Sequence, residues 1–149
     1  MKEKLEELKR RVREINDLDS ILSLAFWDQA TYMPSGGAEA RSRQLATLGR
    51  ISHEKLTDPA LGQLLEDLRE YEKELPADSD EAGLIRVTRR IYEKSVKIPS
   101  DFVSELYKHQ SDSYQVWMKA REENDFEVAR PNLEKTLEYS RRLAGFFPG

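Results

Sequence analysis

Residues 26–44 read FWDQATYMPSGGAEARSRQ, and this stretch decides how the first part of the chain folds. Upstream of it, apolar residues recur three and four positions apart, which predicts an amphipathic helix continuing to about Thr31. Pro34 removes a backbone donor and a pair of glycines follows it, so the helix is expected to end there. A second helix is predicted from Ala38 onward. The stretch therefore predicts a helix, a break and a second helix.

The same helical period continues through the rest of the chain, and no segment has the sustained alternation of a strand. Asp58 followed by Pro59 is a helix start signal, because the carboxylate can cap exposed N–H groups and proline suits the first helical position. Asp78 and Glu81 have the spacing of a capping box. Helices are predicted over residues 1–31, 38–54, 59–76, 78–98, 100–123 and 131–145.

The predicted fold class is all-α, an antiparallel bundle or array of about five to seven helices. Residues 1–149 are expected to form a single helical domain. The inward faces predicted from the spacing of apolar residues include Val87 and Ile91, Trp117, and Leu133 and Leu137.

Composition excludes several classes of protein. The chain has 35% charged residues and a net charge of -4, and its basic residues form no stripe, so no nucleic-acid partner is expected. It has no apolar run long enough for a membrane helix and no secretory signal in its charged first residues. It has no cysteine, which excludes disulfides and thiolate metal sites. A cytoplasmic location is expected.

The two histidines do not form a recognisable catalytic motif. His53 and Glu54 begin like the zinc-binding sequence HExxH, but Thr57 stands where the second histidine is required. His53 is instead expected near a helix C-terminus, where its charged form suits the dipole. His109 has a glutamate one turn before it, and the chain contains no Glu-x-x-His pair of the kind that a di-iron helical bundle needs. We therefore predict no catalytic residue, no metal ligand and no cofactor on this chain.

Two stretches of the sequence resemble the carboxypeptidase Taq family of zinc metallocarboxypeptidases. The first, and more specific, is residues 26–44. The second begins at Trp117 and has the pattern W-x-x-A-R followed by D-F and P-x-L, with Ala129 where an aromatic residue is expected. Trp117 and Phe126 are expected to close the turn between two helices, and Arg121 to bind carbonyl groups there.

The resemblance implies the N-terminal part of a larger helical metallopeptidase with a deep cleft, which removes C-terminal residues from peptides. The family's HExxH helix and its further glutamate ligand come later than the region resembled, so zinc is expected only in the full-length enzyme. This domain is expected to cap or line one wall of the cleft and to be inactive alone. Its implied partners are the remainder of the peptidase, a peptide substrate and a second copy in a homodimer.

Four residues near the break are candidates for the substrate cleft: Trp27, Asp28, Gln29 and Arg41. On a structural interpretation, Trp27 fills core space while Asp28 or Gln29 bonds the backbone freed at the break. On a functional interpretation, the break lies at the rim of a cleft and Asp28, Gln29 or Arg41 faces a peptide. The sequence leaves both open.

Other charged residues near the break allow the same two interpretations. Arg41 and Arg43 open a helix against the preference of its dipole, which predicts that they pair with Glu39 or another carboxylate. Alternatively, one of them binds an acidic group such as a peptide C-terminus. Asp19 interrupts the apolar face of the first helix; pairing with an arginine is expected there, and the alternative is that Asp19 faces a partner domain.

An alternative function is a stand-alone helical protein-interaction module. The tail ends in Phe146 and Phe147, two aromatics expected to be buried, followed by Pro148 and Gly149. Such an apolar pair predicts a partner surface. A third possibility, carboxylate catalysis without metal, is disfavoured because the acidic residues are distributed as solvated helix faces.

Overall fold

The computed structural model describes residues 1–148 and confirms an all-α fold. Within those residues it contains seven α-helices, a 3-10 turn at Ser35–Gly37 and no strand. No helix among them is both long and apolar enough to cross a membrane. The helices are α1 (Lys2–Thr31), α2 (Ala38–Leu56), α3 (Pro59–Asp67), α4 (Arg69–Glu74), α5 (Asp80–Ser95), α6 (Ser100–Glu123) and α7 (Phe126–Gly145).

The helix predicted over residues 59–76 is in fact two helices, and the prediction of a continuous helix was wrong. The turn between α3 and α4 lies at Leu68, whose backbone has φ -87° and ψ -4°. Leu68 is fully buried together with Leu61 and Leu65 of α3. The bend keeps these three leucines in the core while α4 turns to pack along α5.

Two helix starts also differ from the prediction. The N-cap of α5 is Ser79 and not Asp78, since the Ser79 hydroxyl accepts a hydrogen bond from the Ala82 N–H at 3.3 Å. α7 begins at Phe126 and contains Pro131, which was predicted to start it. The Asp125 carboxylate accepts from the backbone N–H two residues later and caps the helix early, so Pro131 interrupts only one bond of an established helix.

The hydrophobic core lies where α1 meets α3 and α5. Its most buried members are Leu8, Leu61, Leu65, Leu68 and Ile85. Asp58 caps α3 as predicted, accepting from the Ala60 N–H at 2.9 Å. The start signal read from the sequence thus directs the chain into this core.

α2 packs most extensively on α6, and small residues make this close approach possible. Ser42, Ala46, Gly49 and Ser52 are all buried on α2 at spacings of three and four. A methyl group built on Gly49 would lie only 2.2 Å from the Tyr107 ring of α6. The α2–α6 contact therefore requires a residue without a side chain at this position.

Several residues predicted to face inward are exposed. They are Val87 and Ile91 of α5, Trp117 of α6, and Leu133 and Leu137 of α7, of which Leu137 has 57% of its surface exposed. α7 packs mainly on α6, so only one of its faces is covered within residues 1–148. The apolar stripe of α7 is wider than the surface that α6 covers.

The α6–α7 turn is closed by backbone hydrogen bonds and not by the predicted packing of Trp117 on Phe126. Asn124 adopts the left-handed conformation, with φ 51° and ψ 39°, and the N–H of Asp125 donates to the Ala120 carbonyl. Phe126 is 60% exposed. Arg121 was predicted to bind carbonyl groups at the turn, but its guanidinium lies over the Trp117 ring. These two expectations were wrong.

The end of the described chain folds back on α6. Phe146 is partly buried and meets the Phe102 ring edge-on at a centroid distance of 5.1 Å. Phe147 is exposed, with the Lys97 ammonium over its ring. The predicted partner-facing tail also includes Gly149, which lies outside the described residues.

Candidate functional site

The four candidate residues lie at the corner where α1 ends and α2 begins. We define the α1–α2 corner as residues 24–44. The Asp28 carbonyl accepts hydrogen bonds from the N–H groups of both Tyr32 and Met33, and this ends α1. Pro34 then extends the chain, and the turn at Ser35–Gly37 leads directly into α2. The predicted break is therefore a compact turn of a few residues.

Arg41 ties the two sides of the corner together. Its Nη2 donates to the Asp28 carboxylate at 2.5 Å, its Nη1 donates to the Ala25 carbonyl, and its Nε donates to Gln44 at 3.2 Å. The Arg41 side chain is mostly buried and Asp28 is half-buried. Arg43, by contrast, makes the predicted exposed pair with Glu39. Arg41 thus acts as a clamp that fixes the angle between α1 and α2.

Gln29 points to the opposite side of α1, into the contact with α6. Its Nε2 donates to the Ser111 carbonyl at 3.0 Å, and the Ser111 hydroxyl donates to its Oε1 at 3.0 Å. Both residues are buried. The side-chain amide is thus used inside the protein, and neither Gln29 nor Asp28 takes up the predicted role of bonding the freed backbone with its side chain.

Trp27 faces solvent, in contrast to the prediction that it fills core space. It is 54% exposed and packs on Tyr32, which is 76% exposed, at a centroid distance of 5.5 Å. Leu24 and Ile21, about one and two turns earlier, are exposed as well. Sequence reasoning missed Tyr32. It lies within the quoted stretch but five positions after Trp27, outside the spacing of three or four that marks helical neighbours.

A shallow groove adjoins this exposed surface. It has a volume of about 600 Å³ and lies between α1 and α2, with Ile21, Ala25 and Ala40 among its apolar lining and Arg41 and Gln44 at one side. Because the guanidinium of Arg41 is bonded within the protein and Arg43, which also lines the groove, pairs with Glu39, the groove offers mainly shape and apolar contact. It has no acid or base arranged for proton transfer.

Polar residues elsewhere on α1 and α2 make structural contacts. Asp19 accepts a hydrogen bond from the Ser52 hydroxyl at 2.7 Å, so its partner is a serine and not the predicted arginine. His53 lies in the last turn of α2, as predicted, and its Nε2 is 2.7 Å from the Ile98 carbonyl. Both contacts hold helices together.

His109 belongs to a second polar cluster between α6 and α7. Its Nε2 lies 2.8 Å from the Thr136 hydroxyl, and its ring packs on Tyr139. Burial lowers the pKa of His109, the positive charge of Lys135 lowers it further, and Asp112 partly opposes both. No group of three His, Asp or Glu side chains in residues 1–148 lies close enough together to hold a metal ion. The described residues do not form a zinc site.

Comparison with known proteins identifies the family. The family model described as carboxypeptidase Taq (M32) metallopeptidase matches residues 7–148. The chain belongs to this family. The resemblance found in the sequence is thereby confirmed.

Individual relatives agree with this assignment. The chain is 34% identical to thermostable carboxypeptidase 1 of Thermus thermophilus over 132 residues, which cover 89% of the chain and 26% of that protein. The M32 carboxypeptidase structure from Deinococcus radiodurans R1 is 36% identical, with a TM-score of 0.68, over 97% of this chain and 29% of that one. The BsuCP crystal structure, at 23% identity, supports the fold alone, with a TM-score of 0.91 over 98% of this chain and 29% of that one. The chain thus spans about a quarter of the length of the curated relatives it matches.

Proposed function

We propose that this chain is the N-terminal part of a zinc-dependent metallocarboxypeptidase and forms one wall of its peptide cleft. The single observation that carries the proposal is the family match over residues 7–148, combined with the quarter of each curated relative that the chain spans. The zinc would polarise the scissile carbonyl and activate water. Since the described residues do not form a zinc site, that chemistry is assigned to the remainder of the peptidase, and this chain is inactive alone.

Within the wall, the α1–α2 corner is the part proposed to meet the peptide. Trp27 and Tyr32 present an exposed aromatic pair that can pack on a peptide side chain. Asp28 and Arg41 hold the corner in shape, and Gln29 fixes α1 on α6. Trp27 is therefore proposed to contact substrate, while the other three candidates are proposed to position it.

The test is a chimera in which this chain replaces the matching 132 residues of the Thermus thermophilus relative. We expect zinc-dependent release of C-terminal residues by the chimera and none by this chain alone. Trp27→Ala in the chimera should raise KM for peptides several-fold with little change in kcat, because it removes a contact that is equally strong in the ground state and the transition state. Trp117→Ala, which removes an exposed tryptophan outside the α1–α2 corner, is the matched control.

The outcomes separate the parts of the proposal. A folded chimera without activity would contradict the assignment of this chain to a functional peptidase. An active chimera whose KM is unaffected by Trp27→Ala would contradict the role of the α1–α2 corner alone. Equal effects of the two tryptophan substitutions would point to a general loss of packing.

The alternative function, a stand-alone helical interaction module, is favoured by the open face of α7. Leu133 and Leu137 are exposed one turn apart on that face. Sedimentation of the purified chain tests whether this face of α7 binds a second copy of the chain. Self-association that Leu137→Glu abolishes would support a second copy as the partner, as in the homodimer expected for the family.

A further inference from the structure

The groove between α4 and α5 is lined mainly by basic residues, although the chain as a whole is acidic. It has a volume of about 610 Å³ and is open along one side. Five cationic side chains line it, against two carboxylates, although the whole chain has a net charge of -4. The cationic residues are Arg69, Lys73, Arg86, Arg89 and Arg90.

Arg89 is held within the groove by an ion pair with Glu72. Its Nη2 lies 2.7 Å from Oε2 of Glu72, and the two side chains are only 19% and 16% exposed. This buried ion pair fixes the Arg89 guanidinium at the floor of the groove. Arg89 therefore adds positive charge beneath the groove, and direct contact with a ligand falls to the more exposed cations.

The other cations are loosely held. Arg86 makes a single long hydrogen bond, 3.4 Å, to the Ala77 carbonyl, and Arg90 makes no ion pair within residues 1–148. Arg69 and Lys73 pair only with carboxylates three residues earlier on exposed surface. Pairs of this kind contribute little and exchange readily. The cations can therefore turn toward a ligand at small cost.

We propose that this groove, which we call the α4–α5 groove, binds an acidic peptide segment by contacting at least two carboxylates of the peptide. Arg86 and Arg90 are one helical turn apart on α5, and Arg69 and Lys73 are one turn apart on α4. Such pairs are separated by about 5–6 Å, close to the ~6.8 Å between alternate residues of an extended peptide. Guanidinium groups bind carboxylates in bidentate fashion. Leu75 and Ala82 give the groove an apolar lining for side-chain methylenes.

The groove is also larger than a single small anion needs. A phosphate would occupy only a small part of about 610 Å³. Glu93 lies in the lining as well and disfavours a ligand that brings all its negative charge to one point. An extended acidic segment can distribute its carboxylates among the cations and avoid Glu93. This proposal is independent of the peptidase cleft, because the α1–α2 corner contributes no residue to the α4–α5 groove.

The test is calorimetric titration of the full chain with a capped tetraglutamate peptide. We expect saturable binding at about 50 mM salt that weakens several-fold near 200 mM. The double substitution Arg86→Gln, Arg90→Gln should weaken binding roughly tenfold or more. The matched control is Arg13→Gln, Arg130→Gln, which makes the same change in net charge on α1 and α7. Circular dichroism of both variants checks that they remain folded.

Three results would overturn the proposal. One is the absence of saturable binding at low salt. Another is an equal loss in the two double variants, which would mean that only net charge matters. The third is that inorganic phosphate binds as tightly as the peptide, because the α4–α5 groove would then be a site for a single oxyanion. Retained binding in the control with loss in the α5 variant supports the proposal.

Discussion

Substitution of Gly49 by alanine is predicted to destabilise the protein, although alanine is the better helix former. The added Cβ would lie 2.2, 2.5 and 2.8 Å from three atoms of the Tyr107 ring. The nearest of these is more than about 1 Å short of the ~3.5 Å at which carbon atoms normally meet. The ring must therefore move, or α2 and α6 must separate.

The magnitude follows from two opposing terms. Forcing an extra methyl into a packed contact costs about 1–3 kcal/mol. Replacing glycine by alanine in a helix gains up to about 1 kcal/mol. Tyr107 also packs on Phe26 of α1, at a centroid distance of 6.2 Å, so its retreat disturbs a second contact. We expect a net loss of about 1–2 kcal/mol in the free energy of unfolding.

Gly83 is the matched control, because it is also helical but a methyl group there would meet nothing within 4 Å. Gly83→Ala should stabilise the protein by about 0.5–1 kcal/mol. Urea unfolding followed by circular dichroism measures both. If Gly49→Ala is as stabilising as Gly83→Ala, the reasoning is refuted. Tyr107→Ala should remove the penalty of Gly49→Ala, and a double-mutant cycle would give the coupling.

Three further predictions concern polar groups. Gln29→Leu leaves the buried Ser111 groups without their partner and should cost about 1–3 kcal/mol in urea unfolding. Asp58→Ala removes the cap of α3 and should cost about 1 kcal/mol in the same assay. Folding lowers the pKa of His109 below its unfolded value of about 6.5. At a pH between these two pKa values, the unfolded state therefore binds more protons than the folded state. Stability should therefore fall as the pH drops through this window, and His109→Gln should reduce the slope.

Each of these has a specific control. Ser111→Ala combined with Gln29→Leu should cost less than the sum of the two, since the Ser111 hydroxyl and the Gln29 amide oxygen are removed together. Asp58→Asn keeps a capping acceptor and should recover most of the loss. His53→Gln is the comparison for the pH experiment. An unchanged pH slope in His109→Gln would contradict the proposed cause.

Local signals in the sequence predicted where most helices begin and end. These start and stop signals act within one or two helical turns, and the helices begin and end close to them. The signals are Pro34 with its following glycines, the Asp58 cap and Gly145. The bend at Leu68 has no such signal. The bend depends on how Leu61, Leu65 and Leu68 pack against α1 and α5. The spacing of apolar residues within one helix carries no information about that packing.

The candidate site was predictable as a region but not residue by residue. Neighbours along a helix point about 100° apart, so Trp27, Asp28 and Gln29 face solvent, α2 and α6 respectively. Which of the three faces the core depends on the position of α6, whose partner residue Ser111 is 82 positions away. The stripe containing Leu133 and Leu137 is likewise a signal for burial, but no element of residues 1–148 covers it.

Because α7 is attached mainly to α6, the described molecule has parts that need not unfold together. The other helices are joined through several interfaces that lead to the core, whereas α7 can detach by opening its interface with α6 and a turn held by Asn124. Amide hydrogens of α7 should therefore exchange with solvent through a partial opening, and those of Leu61, Leu65 and Ile85 only through global unfolding. Two plateaus of exchange free energy would then report separately on the α6–α7 hairpin and on the core.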